Sequence, residues 1–271
     1  RGHMKKFLNG LALASFLLCG ASASHAETKP APPAKRATDP ARDVLHGYPA
    51  DPTQAWLLAA GGRIYDNWWD ALGRRKPDGM HPAYPKEGKR KGPTTWRCVE
   101  CHGWDYNGKD GLYGKGERFT GIKGIRGAKG RSPAAIMRLL RAQPHGYTEA
   151  MIKDDELRRV ALWVSRGQYN ADRYISRKTD VVRGNRQRGA ALFQTICATC
   201  HGFDGRLLNW GTRDKPAYIG TEARKLPDEV LHKIRHAHPG AAMVSLQALR
   251  LKDAIDLLAY AQTLPAGRWR P

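Results

Sequence analysis

Two short motifs hold the residue types in this chain that are suited to redox or metal chemistry. Each motif has two cysteines separated by two residues, with a histidine directly after the second cysteine. The motif residues are Cys98, Cys101 and His102 in the first motif and Cys197, Cys200 and His201 in the second. Thiols and imidazoles at this spacing fit three kinds of site: a redox dithiol, part of a zinc site, or a point of covalent attachment for a prosthetic group.

The surroundings of both motifs favour covalent attachment. A thioredoxin-like dithiol lies beside a strand-helix-strand unit, and no such pattern surrounds either cysteine pair. A histidine directly after the second cysteine is badly placed to join the same zinc tetrahedron. Cys-x-x-Cys-His is instead the attachment signature of c-type haem, in which the thiols bind the vinyl groups and the imidazole binds iron. We therefore predict two covalently attached c-type haems, with His102 and His201 as iron ligands.

The two motifs belong to an internal repeat. Residues 98–105 (CVECHGWD) return 99 positions later as residues 197–204 (CATCHGFD). Upstream of each motif, a glycine is followed four residues later by an aromatic residue on the same helical face. These pairs are Gly61 with Tyr65 and Gly189 with Phe193. The likeness therefore extends beyond the cysteines to the helices that must position them.

Helical patterns also follow each motif. Pro133 and Pro227 each suit the first turn of a helix. Each repeat closes with a helical run, DDELRRVALWV in the first and LKDAIDLLAYAQTL in the second. Because no segment shows sustained alternation with a period of two, we predict an all-α fold.

The repeat predicts two tandem domains. The predicted segments are domain one over residues 49–172, a linker over 173–183, domain two over 184–266 and a tail over 267–271. Tyr65 and Cys98 are 33 positions apart, whereas the equivalent residues of domain two are four apart. Domain one therefore carries an insertion of about 29 residues just before its motif.

Residues 1–26 have the layout of a short tag scar followed by a secretory signal peptide. A basic start precedes an apolar run that is too short to span a bilayer, and small residues follow as far as Ala26. We expect cleavage near Ala26, a periplasmic protein and no stable membrane insertion after cleavage. Cleavage removes Cys19, so only the motif cysteines remain in an oxidising compartment. Residues 27–48, rich in Pro, Ala and Lys, are typical of a flexible tether.

The chain is strongly basic. Its formal charge is +21, and loss of residues 1–26 would remove three cations and no acid. Such an excess favours acidic proteins, anionic membranes or nucleic acid as partners. Because export argues against nucleic acid, we expect acidic redox proteins as electron donor and acceptor.

With these features the chain resembles the two-domain, dihaem class I cytochromes c. The matching features are the glycine and aromatic pairs, both CxxCH motifs, and the aromatic residues Trp163 and Tyr260 of the closing helices. The resemblance implies that the first and last helices of each domain cross at the glycine and aromatic positions. It also implies a proline carbonyl that holds the proximal histidine. Pro216 suits that role in domain two, and domain one has no equivalent proline soon after His102.

The resemblance further implies a methionine as the sixth iron ligand in each domain. Met151 and Met243 occupy equivalent places, after the middle helix and before the last one. In domain one the competing candidates are Met137, Met80, His81 and His145. Of these, Met137 fits the apolar pattern of its own helix, and Met80 and His81 lie in the insertion.

In domain two, three histidines lie close to Met243 in sequence: His232, His236 and His238. His232 and His236 are four residues apart on one helix, and we expect them at the surface or beside the haem propionates.

Two six-coordinate irons leave one-electron transfer as the available chemistry. We therefore expect a periplasmic electron carrier or the electron-transfer subunit of a periplasmic oxidoreductase, rather than an enzyme. The alternative is a dihaem enzyme with the first haem as its catalytic centre. A thiosulfate dehydrogenase-like enzyme would take a cysteine as distal ligand, and none is spare after signal removal. A peroxidase-like enzyme would need a five-coordinate haem.

Overall fold

The computed structural model describes residues 47–267. The predicted signal peptide, the tether as far as residue 46 and the last four residues of the predicted tail lie outside the described residues. In the described part of the chain, no helix has the length and apolar character needed to cross a membrane.

Helices dominate the first half of the described chain. They are α1 (Gln54–Leu72), α2 (Cys98–His102), α3 (Pro133–Arg141) and α4 (Asp154–Leu162). A π-helical turn, Trp163–Gly167, continues α4. Short 3-10 turns lie at Gly92–Trp96, Gly116–Arg118, Arg126–Ala128 and Ala171–Arg173.

The second half is also helical, with a short helix again at the motif histidine. Its helices are α5 (Arg186–Leu192), α6 (Ala198–His201), α7 (Ile219–Lys225), α8 (Pro227–His236) and α9 (Leu251–Ala261), and the π-helical turn Phe193–Cys197 joins α5 to α6. Between residues 47 and 267 the only β pairing is two isolated bridges, Gly108 with Lys123 and Ile175 with Val182. The prediction of an all-α fold is confirmed.

The ends of α1 follow from local sequence. The Thr53 hydroxyl caps the helix by accepting a hydrogen bond of 3.2 Å from the Trp56 backbone N–H. Gly73 ends the helix with a φ of 62°, in the left-handed region that glycine adopts without strain. Asn67 has a non-helical φ of −157° and marks a kink near the C-terminal end. The predicted first-turn positions of Pro133 and Pro227 are confirmed in α3 and α8.

Two glycines allow close crossings of helices. A Cβ atom on Gly61 of α1 would collide with the carbonyl oxygen of Arg159 on α4 and lie 2.6 Å from Cβ of Trp163. A Cβ atom on Gly189 of α5 would meet the carbonyl of Asp256 on α9 in the same way. In each half, therefore, the first helix crosses the closing helix at the glycine picked out by the repeat.

A third close approach joins the two halves. Gly62, next to Gly61 on α1, lies directly against the imidazole of His236 on α8. His232 and His236 are both fully buried there. The expectation that these histidines lie at the surface is wrong, because α8 packs its histidine face against α1.

Candidate functional site

The first motif is held in place by an ion-pair network at the start of α2. Arg97, the N-cap residue, donates from Nε to the Asp66 carbonyl at 2.7 Å and from Nη2 to the Asp66 carboxylate at 2.5 Å. Lys233 of α8 donates to the other carboxylate oxygen at 2.7 Å. Burial alone would raise the pKa of Asp66, but Lys233 and Arg97 outweigh it and hold that pKa well below its usual range. The network ties α2 to both α1 and α8.

The motif cysteines form no disulfide, and burial keeps the thiols of Cys98, Cys101 and Cys197 protonated at neutral pH. The four cysteines Cys98, Cys101, Cys197 and Cys200 are free thiols. Burial raises the pKa of Cys98 to about 11, that of Cys101 to about 12 and that of Cys197 to about 11. A reactive redox dithiol needs a lowered thiol pKa, so these values argue against that chemistry. Among residues 47–267, no group of three or more Cys, His, Asp or Glu residues could hold a metal ion as a zinc cluster does.

His102 is oriented as an iron ligand should be. Its Nδ1–H donates a hydrogen bond of 2.8 Å to the Lys123 carbonyl. Nε2 is then the unprotonated nitrogen, which is the form that binds a metal. Burial lowers the pKa of His102 to about 4, so the ring is neutral at neutral pH. The carbonyl of Lys123 therefore does for His102 what the resemblance assigns to a proline carbonyl. A backbone acceptor leaves no side-chain signal in the sequence.

A second imidazole faces His102. His145 lies in the turn between α3 and α4, and its ring centre is 6.1 Å from that of His102, with 33° between the ring planes. Its Nδ1–H donates to the Leu139 carbonyl at 3.0 Å. Tyr147, two residues later, places its hydroxyl 3.9 Å from Cys98 Sγ. The structure thus brings this turn over the first motif.

The other candidate ligands of the predicted domain one lie in different settings. Met151 is half-buried and lines a surface depression with Trp68, Thr148, Ala150 and residues 74–78. Met137 packs against the core, and Met80 is 38 % exposed. Both ring nitrogens of His81 are engaged with backbone groups, the amide of Ala83 and the carbonyl of His145. Met151 as an iron ligand stays a prediction.

The second motif has a more open setting. Cys197 ends the π-helical turn, and Cys200 and His201 lie on α6. The His201 ring is half-buried, 5.7 Å from the ring of Trp210 and 6.5 Å from that of Phe193. Its buried Nδ1 has no hydrogen-bond partner within residues 47–267. The expectation that a Pro216 carbonyl holds this ring is therefore wrong for this conformation.

Large apolar side chains next to the second motif are exposed. Phe203 is 77 % exposed, Leu207 is 67 % exposed and Trp210 is 52 % exposed. The Leu207 amide donates to the His201 carbonyl at 2.9 Å, so this surface adjoins the proposed iron ligand. Large apolar side chains exposed near one another in sequence are typical of a surface that a ligand or partner covers. Apolar side chains beside two thiols and an imidazole fit a haem, whose ring would cover them. Met243 lies half-buried in the turn after α8.

The buried histidines of α8 are part of a polar contact between the two halves. His232 donates from Nε2 to the Gly62 carbonyl at 2.8 Å, and its Nδ1 accepts from the Tyr106 hydroxyl at 2.9 Å. His236 accepts from Trp163 Nε1 at 2.8 Å. Burial lowers the pKa of His232 to about 4 and moves that of His236 well below its usual value. With all their ring nitrogens engaged, these histidines serve packing and are not open to iron.

The comparison with curated proteins finds no match to this chain. Residues 184–260, less than a third of the chain, are similar to the family described as cytochrome C oxidase, cbb3-type, subunit III. The matched residues contain the second CxxCH motif, His201 and Met243. The match supports a c-type cytochrome domain with covalently bound haem, of the kind that transfers electrons, in this part of the chain.

Proposed function

We propose that the chain is a periplasmic dihaem c-type cytochrome that carries single electrons between redox partners. The observation that carries the proposal is the repeated set of donors. In both halves a histidine that ends a short helix directly follows a pair of cysteines that form no disulfide. The proposed haem domains cover residues 49–172 and 184–266.

The roles of the residues follow from this set. Cys98 and Cys101 hold one haem, and Cys197 and Cys200 hold the other. A bound haem supplies an iron that cycles between ferric and ferrous states. His102 presents Nε2 to one iron because the Lys123 carbonyl takes the proton on Nδ1. His201 and Met243 bind the other iron, and the thioether raises its potential.

The charge of the chain supports small acidic proteins as partners. The formal charge of +21, less the three cations of residues 1–26, leaves +18, which produces a field that speeds encounter with acidic donors and acceptors and weakens as salt rises. The similarity of residues 184–260 to the family described as cytochrome C oxidase, cbb3-type, subunit III supports the same role, since that description names an oxidase subunit. An electron-transfer subunit of a periplasmic oxidoreductase is included in this proposal.

The experiment that tests the proposal counts haems. The chain is expressed with its N-terminal residues in a bacterium that matures c-type cytochromes, and the periplasmic product is analysed by intact mass and by the pyridine haemochrome assay. We expect two haems per chain. The pair Cys98→Ala and Cys101→Ala should remove one of them, and the pair Cys197→Ala and Cys200→Ala should remove the other. One haem in the parent chain would contradict the dihaem proposal.

A second measurement separates a carrier from an enzyme. A carrier should be reduced and reoxidised reversibly, and its ferric haems should bind cyanide slowly because both irons have six ligands. Turnover of peroxide, or rapid binding of cyanide to the first haem, would favour a dihaem enzyme.

A further inference from the structure

We propose that His145 is the sixth ligand of the first haem iron, and that the insertion before the first motif holds His145 in place. The first haem then has two imidazole ligands, whereas the second has an imidazole and the thioether of Met243. This inference rests on the proposed function, because it requires a haem at Cys98 and Cys101.

The spacing of the two rings carries the inference. The centres of the His102 and His145 rings are 6.1 Å apart, and their planes are 33° from parallel. Two bonds of about 2 Å between a metal and imidazole nitrogens place the centres of two opposed rings about 6 Å apart. The separation of the His102 and His145 rings therefore matches that of two imidazoles bound to one metal ion.

Both rings also have the hydrogen bonding of a metal-bound histidine. A ligating histidine donates its other ring N–H to a carbonyl or carboxylate, which sets the tautomer and the ring orientation. His102 donates from Nδ1 to the Lys123 carbonyl, and His145 donates from Nδ1 to the Leu139 carbonyl. In the described part of the chain, each of these rings makes its hydrogen bond through Nδ1, and neither Nε2 atom makes one. Each ring thus keeps its metal-binding nitrogen unprotonated.

The turn that carries His145 is fixed against the first motif. The Tyr147 hydroxyl donates to the Trp96 carbonyl at 2.8 Å and lies 3.9 Å from Cys98 Sγ. His145 also lies after α3 and before α4, in the same part of the domain from which Met151 was predicted to reach the iron. Met151 instead lines a depression with Trp68 and residues 74–78, and no motif residue lines that depression.

The insertion holds the turn through His81. The Ala83 amide donates to His81 Nδ1 at 3.0 Å, so the proton of this ring lies on Nε2. Nε2 therefore donates to the His145 carbonyl at 3.0 Å. The His81 ring also lies on Trp96, with ring centres 4.4 Å apart. His81 is thus a positioning residue that acts through His145, and domain two has no insertion in which an equivalent could lie.

The proposal gives the two haems different potentials. A thioether ligand raises the haem potential relative to a second imidazole. The first haem should therefore have the lower potential and the second the higher one. Transfer of an electron from the first haem to the second would then be thermodynamically favourable.

The test uses the ferric protein, in which a methionine ligand produces a sulfur-to-iron charge-transfer absorption band that a second imidazole cannot produce. Intact mass first establishes that the parent and each variant carry two haems. We expect Met243→Leu to abolish the band and Met151→Leu, the matched control, to leave it unchanged. His145→Met should increase the band and raise the lower of the two potentials.

A fourth variant tests the ligand directly. His145→Gly should give the first haem a high-spin electron paramagnetic resonance signal, and added imidazole should restore the low-spin signal by replacing the lost ring. If His145→Gly does not fold, the charge-transfer band of Met243→Leu and Met151→Leu still identifies the sixth ligand of the first haem. A two-haem chain in which Met151→Leu loses half of the band would overturn the assignment of His145 alone. A parent chain with no haem at the first motif would overturn both this inference and the dihaem proposal.

Discussion

The indole Nε1 of Trp163 donates a hydrogen bond of 2.8 Å to Nε2 of His236. Trp163 begins the π-helical turn after α4, and His236 ends α8, so this bond joins the first repeat to the second. The other nitrogen of the His236 ring, Nδ1, donates to the His232 carbonyl at 2.8 Å. Both ring nitrogens are thus satisfied where neither residue is exposed to water. A histidine is used here as an uncharged connector between helices.

Loss of the indole donor should destabilise the protein. Trp163→Phe would keep most of the apolar volume and leave His236 Nε2 buried without a partner, which costs about 1 to 3 kcal/mol. Urea unfolding of the haem-loaded protein measures the loss. The double variant with His236→Leu is the control, because removing both polar partners costs less than removing one. If the loss of stability in the double variant equalled the sum of the losses in the two single variants, the hydrogen bond would not be the cause of the destabilisation.

The close approach of α1 and α8 should make the stability of the protein sensitive to one added methyl group at Gly62. Gly62→Ala places a Cβ atom inside the His236 ring position, which forces the helices apart. We expect a loss of about 1 to 3 kcal/mol, as for overpacked cores. Gly127→Ala is the matched control, because a Cβ atom there would meet nothing within 4 Å. Equal unfolding free energies for the two variants would contradict the proposed role of Gly62.

The helix crossings within each half were predictable from the sequence, whereas the crossing between the halves was not. Gly61 and Gly189 recur at matched places of the repeat, and each lies where its helix crosses a closing helix. His232 and His236 lie on one helical face, but spacing within a helix does not reveal which other helix covers that face. The sequence signal for the crossing of α1 and α8 was Gly62, since a second glycine beside Gly61 leaves a second face of α1 without side chains, where another helix can approach closely.

The same limit applies to the candidate haem sites. The motif residues could be picked from residue type and spacing alone. The Lys123 carbonyl that orients His102 could not, because every residue has such a carbonyl and only the folded loop selects one. His145 was one of several possible ligands in the sequence. It is the one whose ring lies opposite His102.

The buried histidines should make stability fall as the pH is lowered. Burial lowers the pKa of His232 to about 4, whereas in the unfolded chain it is about 6.5. Between these two pH values the unfolded state binds a proton that the folded state does not. The free energy of unfolding therefore decreases, as the pH is lowered, by up to about 1.4 kcal/mol per pH unit. His236 acts in the same direction. The charged groups that act on the two rings are Arg63, Asp66, Arg97, Lys233 and Arg235.

Unfolding measured at pH 7, 6 and 5 checks this slope. His232→Gln keeps an N–H for the Gly62 carbonyl and does not titrate, so it should flatten the dependence on pH. A variant with the slope of the parent would show that His232 does not become protonated on unfolding.

Asp66 should be among the costliest buried charges to neutralise. Asp66→Asn leaves Arg97 and Lys233 without their shared carboxylate in a buried setting, and breaking such a pair costs about 3 to 5 kcal/mol. Because the pKa of Asp66 is lowered on folding, its contribution is full above about pH 4 and is lost as the pH falls below that value. Asp78→Asn is the control, since its exposed pair with Arg75 should be worth less than about 1 kcal/mol. Thermal unfolding at pH 7 and pH 3 would compare the two variants.

His81 should control the coordination of the first haem without touching the iron. His81→Ala removes the N–H that holds the His145 carbonyl, so the turn should release the iron more often. We expect cyanide to bind the ferric first haem about fivefold to tenfold faster, the factor for losing a hydrogen bond of about 1 to 1.4 kcal/mol. His81→Gln retains a side-chain N–H donor and should bind cyanide almost as slowly as the parent. Stopped-flow absorbance measures both rates, and the second haem is an internal reference. Equal rates for the alanine and glutamine variants would mean that His81 supports folding and does not position His145.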